Sequence, residues 1–275
     1  MRNPINSRDV RRIILEQSKR ANVGHIGSCL CVTEILCALY LHVLRGDSPS
    51  DPDRDRFILS KGHSALGLYA VLNLKGWIST EQLSTFCGDE SQLGVHPEMT
   101  VEGIDFSTGS LGHGLGIAAG AALAARLQCS KRRAFCLMSD GELNEGSVWE
   151  AAMFAAHHRL RNLRAIIDVN GQQALGRTRD IINTSNIAER WRAFGWDVAE
   201  VDGHSIPELA TALEAPSDGP MVVIARTIFG KGVSYMEQGL PLARRGLPTQ
   251  PVNWHYLPMN DHEFEVALGE LAEQS

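Results

Sequence analysis

Four short apolar runs, separated by helical patterns, restrict the fold of this chain more than any other feature of its sequence. Apolar runs without polar alternation are typical of strands that are buried on both faces of a parallel sheet. The runs and the helical patterns alternate in this order: Ala134 to Met138, Glu145 to His158, Ala165 to Val169, Ile187 to Phe194, Trp196 to Val201, Ile206 to Leu213 and Met221 to Ala225. The alternation predicts an α/β fold with a mostly parallel sheet and helices on both faces.

The length and punctuation of the chain predict one domain. Its 275 residues contain no internal repeat, low-complexity tract or linker before about residue 238, where Gly239-Leu240-Pro241 begins a looser segment with three further prolines. We predict a single domain over residues 1–238, with residues 239–275 as an irregular C-terminal extension of it. Met1 to Arg20 mixes charged and apolar side chains and predicts an amphipathic helix, not a signal peptide, so we expect a cytoplasmic protein.

The charge pattern and the apolar pattern argue against two classes of partner. The formal net charge is -6 and the basic residues are scattered, apart from short runs such as Lys131-Arg132-Arg133, so we expect no nucleic acid. The longest weakly polar stretch, Leu111 to Leu127, is dominated by Gly and Ala and interrupted by His113 and Arg126. Since it is too short to span a membrane, we predict a buried helix there.

Polar side chains follow two consecutive predicted strands. Ser139-Asp140-Gly141 follows the first run, and Asn170-Gly171 follows the second. Because neighbouring parallel strands end at the same edge of a sheet, we expect Asp140 and Asn170 to lie together. A carboxylate and an amide oxygen, completed by backbone carbonyls and other oxygens, suit Mg²⁺ or Ca²⁺. The alternative is that Asp-Gly and Asn-Gly simply form turns.

A glycine-rich segment precedes the predicted buried helix. Its sequence is Thr108-Gly109-Ser110-Leu111-Gly112-His113-Gly114. At a helix N-terminus, free backbone amides and the helix dipole favour a phosphate group, and glycine permits its close approach. The alternative is helix packing through small residues.

Together these motifs resemble the transketolase family, and the resemblance covers nearly the whole chain. The thiamine-diphosphate fingerprint of the family is a Gly-Asp-Gly with an Asn after the next strand, which Asp140 and Asn170 match. Gly109, Leu111 and Gly112 match the family's Thr-Gly-Pro-Leu-Gly-Gln-Gly loop. The resemblance implies the thiamine-diphosphate-binding fold and, for this chain, the N-terminal, diphosphate-binding subunit of a split transketolase.

The resemblance also implies roles for individual residues of both motifs. The cation would be held by Asp140, Asn170 and the backbone carbonyl of Gln172. Ser139 replaces the first glycine of the fingerprint, so its hydroxyl would lie close to the diphosphate. The implied cofactor-binding residues are His63, Gly109, Ser110, Leu111, Gly112, Ser139, Asp140, Gly141, Glu142 and Asn170.

Four histidines stand where the family has active-site histidines, namely His25, His63, His96 and His255. Imidazole donates or accepts a proton near neutral pH, which suits the movement of protons on and off sugar hydroxyls. The alternative for each single histidine is a packed or surface residue.

Glu145 and Glu150 resemble a pair of glutamates that, in the family, lies near a dimer interface and couples active sites by a proton relay. We therefore include both as catalytic candidates. The alternative is a carboxylate pair that the dipole at the N-terminus of the predicted helix stabilises.

The resemblance further implies a separate partner chain. In the family, a pyrimidine-binding domain supplies the glutamate that activates thiamine diphosphate, and we find no such domain in this sequence. We expect the partner to be a C-terminal pyrimidine-domain transketolase subunit, in an α2β2 hetero-oligomer with two copies of each chain. The complex would transfer a two-carbon ketol group from a ketose to an aldose, usually as sugar phosphates.

Two alternative functions remain on the sequence alone. One is another thiamine-diphosphate enzyme subunit, similar to 1-deoxyxylulose-phosphate synthase or to a dehydrogenase E1 α subunit, although the histidine set argues against the latter. The other is a catalytically silent scaffold for a partner, against which the intact Asp140 and Asn170 argue.

Overall fold

A five-stranded sheet forms the centre of the fold in a computed structural model that describes residues 6–237 and 253–273. The strands are β1 Arg56–Leu59, β2 Ala134–Ser139, β3 Leu163–Val169, β4 Gln172–Gln173, β5 Gly176–Arg177, β6 Asp197–Asp202 and β7 Met221–Arg226. In the large sheet the strand order is β1-β2-β3-β7-β6, and all neighbours are parallel. β4 and β5 form a separate antiparallel pair.

Helices connect the strands and cover both faces of the sheet. The α-helices are α1 Ser7–Ala21, α2 Ile26–Cys31, α3 Thr33–Ala38, α4 Ala65–Lys75, α5 Thr80–Leu83, α6 Gly114–Leu127, α7 Gly146–His157, α8 Thr178–Ile181, α9 Ile187–Ala193, α10 Ile206–Glu214, α11 Asn253–Tyr256 and α12 Asp261–Glu273. A π-helical turn covers Leu39–Val43, and 3-10 turns cover Gly62–Ser64 and Asp140–Asn144.

The side chains of β2 alternate between two hydrophobic cores, because successive residues of a strand point to opposite faces. Phe135 and Leu137 enter the core that contains α1, α3, α4, α10 and α12. Cys136 and Met138 enter the core that contains α6, α7 and α9. All four are fully buried. The burial of β2 on both faces confirms the predicted α/β fold, with a mostly parallel sheet between two layers of helices.

All seven elements predicted in the second half of the chain are present, with ends that shift by at most two residues. The buried helix predicted from Leu111 begins three residues later, at Gly114. The sequence did not predict β1, because its four residues begin with Arg56 and are too few to show a period. A short edge strand of this kind is recognised only from its pairing with β2.

The C-terminal extension contains regular structure within its described residues. Helix α12 packs against α1 and buries Val266, Ala267 and Leu271, which recur at helical spacing. All the prolines of the extension precede Asp261, which is why the sequence suggested an irregular segment throughout. Most of the proline-containing part, residues 238–252, lies outside the described residues, and the boundary at residue 238 stays a prediction.

No helix within residues 6–237 and 253–273 is both long enough and apolar enough to cross a membrane.

A buried carboxylate connects β1 to β2 at the amino ends of these strands. The polar motifs lie at the opposite, carboxyl ends. Asp55 precedes β1 and accepts hydrogen bonds from the side chains of Arg45 at 2.8 Å and Arg133 at 2.8 Å, and from the Arg133 backbone at 2.8 Å. Burial alone would raise the pKa of Asp55, but these hydrogen bonds outweigh burial and lower it. The carboxylate therefore stays charged and holds the edge strand in register.

We predict that Asp55→Asn lowers the free energy of unfolding by about 3 kcal/mol, because it leaves two arginines without their buried anion. Chemical denaturation measures this loss. The matched control is Asp53→Asn, an exposed carboxylate two residues away, which should change stability little. Equal stability of the two variants would refute the anchoring role of Asp55.

Candidate active-site cleft

A cleft of about 320 Å³ opens at the edge of the sheet where β2 and β3 end. Ligands of open α/β sheets bind at this edge, beyond the carboxyl ends of the strands. Of the predicted site residues, the cleft is lined by His25, His63, His96, Gly109, Leu111, Ser139, Gly141, Glu145, Asn170, Gln172 and His255. Predicted residues that do not line it are Ser110, Gly112, Asp140, Glu142 and Glu150.

Asp140 lies beside the Asn170–Gly171 peptide, as the strand ends predicted. β2 and β3 are neighbours, with Ser139 opposite Asp168. The Gly171 backbone amide donates to Asp140 Oδ2 at 2.9 Å, and the Thr178 hydroxyl donates to the same oxygen at 3.1 Å. With Gly171 and Thr178, Asp140 lines a neighbouring cavity of about 560 Å³.

The Asp140 carboxylate has the properties of a cation ligand. Asp140 is 1% exposed, and its Oδ1 accepts no hydrogen bond from the described residues. Burial, and then the charge of Asp168, raise the pKa of Asp140 to about 7. A buried carboxylate with one free oxygen is costly alone and is stabilised by a cation, so this residue fits the metal that the sequence predicts.

The side-chain amide of Asn170 directs its oxygen to the backbone amide of Gln172. Its Nδ2 donates to Asp168 Oδ2 at 2.8 Å, and its Oδ1 accepts from the Gln172 backbone amide at 2.9 Å. An amide oxygen has a second lone pair, which leaves Oδ1 able to contact a cation. Among the described residues, no group of three or more His, Cys, Asp or Glu could hold a metal ion. A cation here therefore depends on carboxylate, amide and carbonyl oxygens together.

A fully buried ion pair lies beneath the cleft, and the sequence did not assign it a role. Lys61 Nζ lies 2.5 Å from Asp168 Oδ2, and both side chains are 0% exposed. Asp168 also accepts from the Cys31 thiol at 3.1 Å and from the Thr227 hydroxyl. The available signal was a carboxylate inside the apolar run Ala165 to Val169, since an acidic residue in a buried strand requires a partner.

The glycine-rich segment, residues 108–114, lies directly against the ring of His96. Gly109 has φ +151°, and a Cβ at this position would lie 3.0 Å from the His96 ring. Any larger residue would therefore displace His96 or strain the backbone. Helix α6 begins at the last residue of this segment, Gly114, whose backbone amide donates at 3.2 Å to the hydroxyl of Ser60, just after β1.

Glu142 and Gly112 bind each other, and the cofactor contact predicted for both stays a prediction. Glu142 Oε1 accepts from the Gly112 backbone amide at 2.9 Å and from the Ser60 hydroxyl, and Oε2 accepts from the Ser139 backbone amide at 2.9 Å. The carboxylate is buried, which raises its pKa, and it joins three segments of the site. The Gly112 amide is consequently occupied within the protein.

Three of the four predicted histidines form one cluster. The ring centroids are separated by 5.5 Å for His25 and His63, 5.6 Å for His25 and His255, and 5.4 Å for His63 and His255. His96 lines the same cleft. Gly24 makes the cluster possible, because a Cβ there would lie 2.1 Å from the Tyr256 carbonyl oxygen.

The clustered imidazoles are neutral at neutral pH. Burial lowers the pKa of His255 to about 4, with a smaller contribution from His25. Burial, then His96, lowers the pKa of His25, and burial, then Lys61, lowers that of His63 well below its usual value. His25 Nδ1 is buried without a hydrogen-bond partner among the described residues. Neutral imidazoles of this kind can donate to and accept from substrate hydroxyls.

Of the two glutamates of the predicted helix, only one lines the cleft. Glu145 immediately precedes α7 and lines the cleft, whereas Glu150 lies on the exposed surface of α7, outside the cleft. The carboxylate of Glu145, next to the N-terminus of α7, is stabilised by the helix dipole. The relay role of both residues stays a prediction.

Comparison with known proteins identifies the class of this domain. Residues 5–241 match the family described as transketolase, thiamine diphosphate binding domain. The chain is 38% identical to an apulose-4-phosphate transketolase subunit from Phocaeicola vulgatus, over 98% of this chain and 94% of that protein. It is 36% identical to a 6-deoxy-6-sulfo-D-fructose transketolase subunit from a Clostridium species, over 96% of this chain and 94% of that protein.

The solved transketolases share the fold. The crystal structure of transketolase from Campylobacter jejuni matches with a TM-score of 0.87 and 29% identity, over 97% of this chain and 42% of that chain. This chain thus spans about two fifths of the solved transketolase, but nearly the full length of the two subunit relatives. The fold is that of the thiamine-diphosphate-binding domain of these transketolases.

The chain belongs to the transketolase family. Within it, the chain is the N-terminal, thiamine-diphosphate-binding subunit of a split transketolase, which makes it part of a transferase and confirms the resemblance seen in the sequence.

We predict that cation affinity at Asp140 falls about tenfold per pH unit below pH 7 and is constant above it, because a carboxylate must lose its proton before it binds a cation. Titration of Mg²⁺ at pH 6, 7 and 8, with thiamine diphosphate present, measures this slope. The control is Asp140→Asn, whose residual affinity reports only the titration of the cofactor phosphate. The same slope in both proteins would contradict the assignment.

Proposed function

We propose that this chain binds thiamine diphosphate with Mg²⁺ or Ca²⁺ and, with a separate pyrimidine-domain subunit, transfers a two-carbon ketol group from a ketose to an aldose. The observation that carries the proposal is the buried Asp140 carboxylate at the end of β2, whose Oδ2 accepts from the Gly171 backbone amide and whose Oδ1 accepts no hydrogen bond from the described residues. The neutral histidine cluster in the adjoining cleft supports it.

The oxygens of three residues would hold the cation. Asp140 Oδ1, Asn170 Oδ1 and the backbone carbonyl of Gln172 are hard ligands that suit Mg²⁺ or Ca²⁺. The residues that would contact the cofactor line the cleft around the ends of β2 and β3. They are His63, Gly109, Leu111, Ser139 and Gly141, and Ser110 follows Gly109 in the chain.

Thiamine diphosphate, when bound, supplies the stabilisation of a carbanion that ketol transfer needs. The protein residues would orient the sugar and move protons at its hydroxyls. His25, His63 and His255 are held neutral by burial, so each can accept a hydrogen bond at one nitrogen and donate one from the other. His96 lines the same cleft beside Gly109 and would also contact the substrate.

The partner would supply the pyrimidine-binding domain and most of the groups that bind a sugar phosphate. The described residues that line the cleft include no arginine, and their one lysine, Lys61, is paired with Asp168. The two subunit relatives are named for different sugars, so their names do not fix the substrate of this chain. We propose phosphorylated sugars as substrates of a hetero-oligomer that contains two copies of each chain.

The test is ketol transfer from xylulose 5-phosphate to ribose 5-phosphate, with thiamine diphosphate and Mg²⁺, by this chain alone and mixed with its candidate partner. We expect activity in the mixture only, and none when Asp140→Ala replaces the native chain, because Mg²⁺ loses its charged ligand. Metal-dependent cofactor binding without transfer would mean that the sugars are wrong. Absence of cofactor binding would favour a scaffold role.

We predict that His96→Ala lowers kcat about 100-fold while the affinity for thiamine diphosphate stays unchanged, since the imidazole handles protons and does not hold the cofactor. Steady-state kinetics and equilibrium dialysis of the assembled complex separate the two effects. His42→Ala, an exposed histidine outside the cleft, is the control and should match the native enzyme. Equal turnover of both variants would remove His96 from the catalytic residues.

A further inference from the structure

The Asp168 carboxylate is the meeting point of four segments beneath the cation site. It accepts hydrogen bonds from Lys61, Cys31 and Asn170 at Oδ2 and from Thr227 at Oδ1. Its side chain and that of Lys61 are completely buried. Asp168 is completely buried and does not line the cleft, so its effect on the site must pass through the residues that it binds.

Asn170 is the one of these four donors that would also touch the cation. Its amide has two chemically different ends, and a rotation of about 180° exchanges the oxygen and the nitrogen. In the observed orientation Nδ2 donates to Asp168 Oδ2 at 2.8 Å, and Oδ1 accepts from the Gln172 backbone at 2.9 Å. In the reversed orientation an N–H donor would replace the oxygen, and a cation would lose a ligand.

We propose that the buried Lys61–Asp168 ion pair is a positioning device that fixes the Asn170 amide with its oxygen towards the cation. This inference rests on the proposed cation site. Asp168 accepts only, so it binds Nδ2 and repels Oδ1. Lys61 balances the charge of Asp168, without which a carboxylate buried this deeply would not be retained. Outer contacts of this kind typically change metal affinity by about 10–100-fold.

The pair also connects the cation site to the histidine cluster. Lys61 precedes His63 by two residues, and Asp168 precedes Asn170 by two. Asp168 does not line the cleft, so a change in the pair alters the orientation of a cation ligand through the hydrogen bond to Asn170. This separates a positioning role from a catalytic one.

The test replaces the pair by apolar residues of similar size, Lys61→Met/Asp168→Leu, because such exchanges are often neutral or stabilising where a single exchange is not. Equilibrium dialysis of thiamine diphosphate against the assembled complex, across a Mg²⁺ titration, measures the half-saturating Mg²⁺ concentration. We expect it to rise at least tenfold with little change in thermal unfolding. The matched control is Arg54→Met/Asp105→Leu, a mostly buried ion pair outside the cleft, which should leave it unchanged.

A rescue variant distinguishes positioning from general damage. Adding Asn170→Asp to Lys61→Met/Asp168→Leu should restore most of the Mg²⁺ response, because a carboxylate presents oxygen in either orientation. Loss of packing alone would not be repaired in this way. If the variant with the apolar pair does not fold, Lys61→Met/Asp168→Asn keeps the shape of the core. This variant should also raise the half-saturating Mg²⁺ concentration.

Each outcome decides one question. A native complex that binds thiamine diphosphate without any dependence on Mg²⁺ would refute the proposed cation site itself. A native complex that depends on Mg²⁺, together with a folded pair variant of unchanged half-saturation, would refute only the positioning role. Failure of Asn170→Asp to rescue a weakened variant would refute it as well.

Discussion

The buried ion pair between Lys61 and Asp168 is the contact on which the geometry of the cleft depends. Neither charge has access to water, so each is tolerated only because the other is present. Lys61 precedes His63 by two residues, and Asp168 is the last residue but one of β3, which precedes Asn170. With the thiol of Cys31 and the hydroxyl of Thr227, the pair holds four distant segments of the chain at one point.

The sequence predicts the fold where burial is continuous along a strand. Apolar runs such as Ala134 to Met138 are buried on both faces, so composition alone identifies them, and their ends give the edge of the sheet that carries the site. The edge strand β1 and the short helices before it escape this argument, because they are brief and their stability comes from distant partners such as Asp55 with Arg133.

The candidate site is predictable at the level of position but not of side-chain direction. The locations of Asp140 and Asn170 follow from the strand ends, and the histidines follow from family motifs. Glu142 lies in the same motif, yet its carboxylate turns inward to the backbone of Gly112 and Ser139. The Lys61–Asp168 pair joins residues more than a hundred positions apart, and no local pattern of the sequence specifies such a contact.

Charge balance explains why cofactor and cation should bind together. Of the described residues that line the cleft, only Lys61 carries a lasting positive charge, and Asp168 compensates it. Burial keeps the clustered imidazoles of His25 and His63 neutral, so they cannot balance a diphosphate. Asp140 adds a negative charge at the same edge of the sheet. A divalent cation held by Asp140 would offset the charge of this carboxylate and of a diphosphate, so the charges of this chain would favour binding of the two together over binding of either alone.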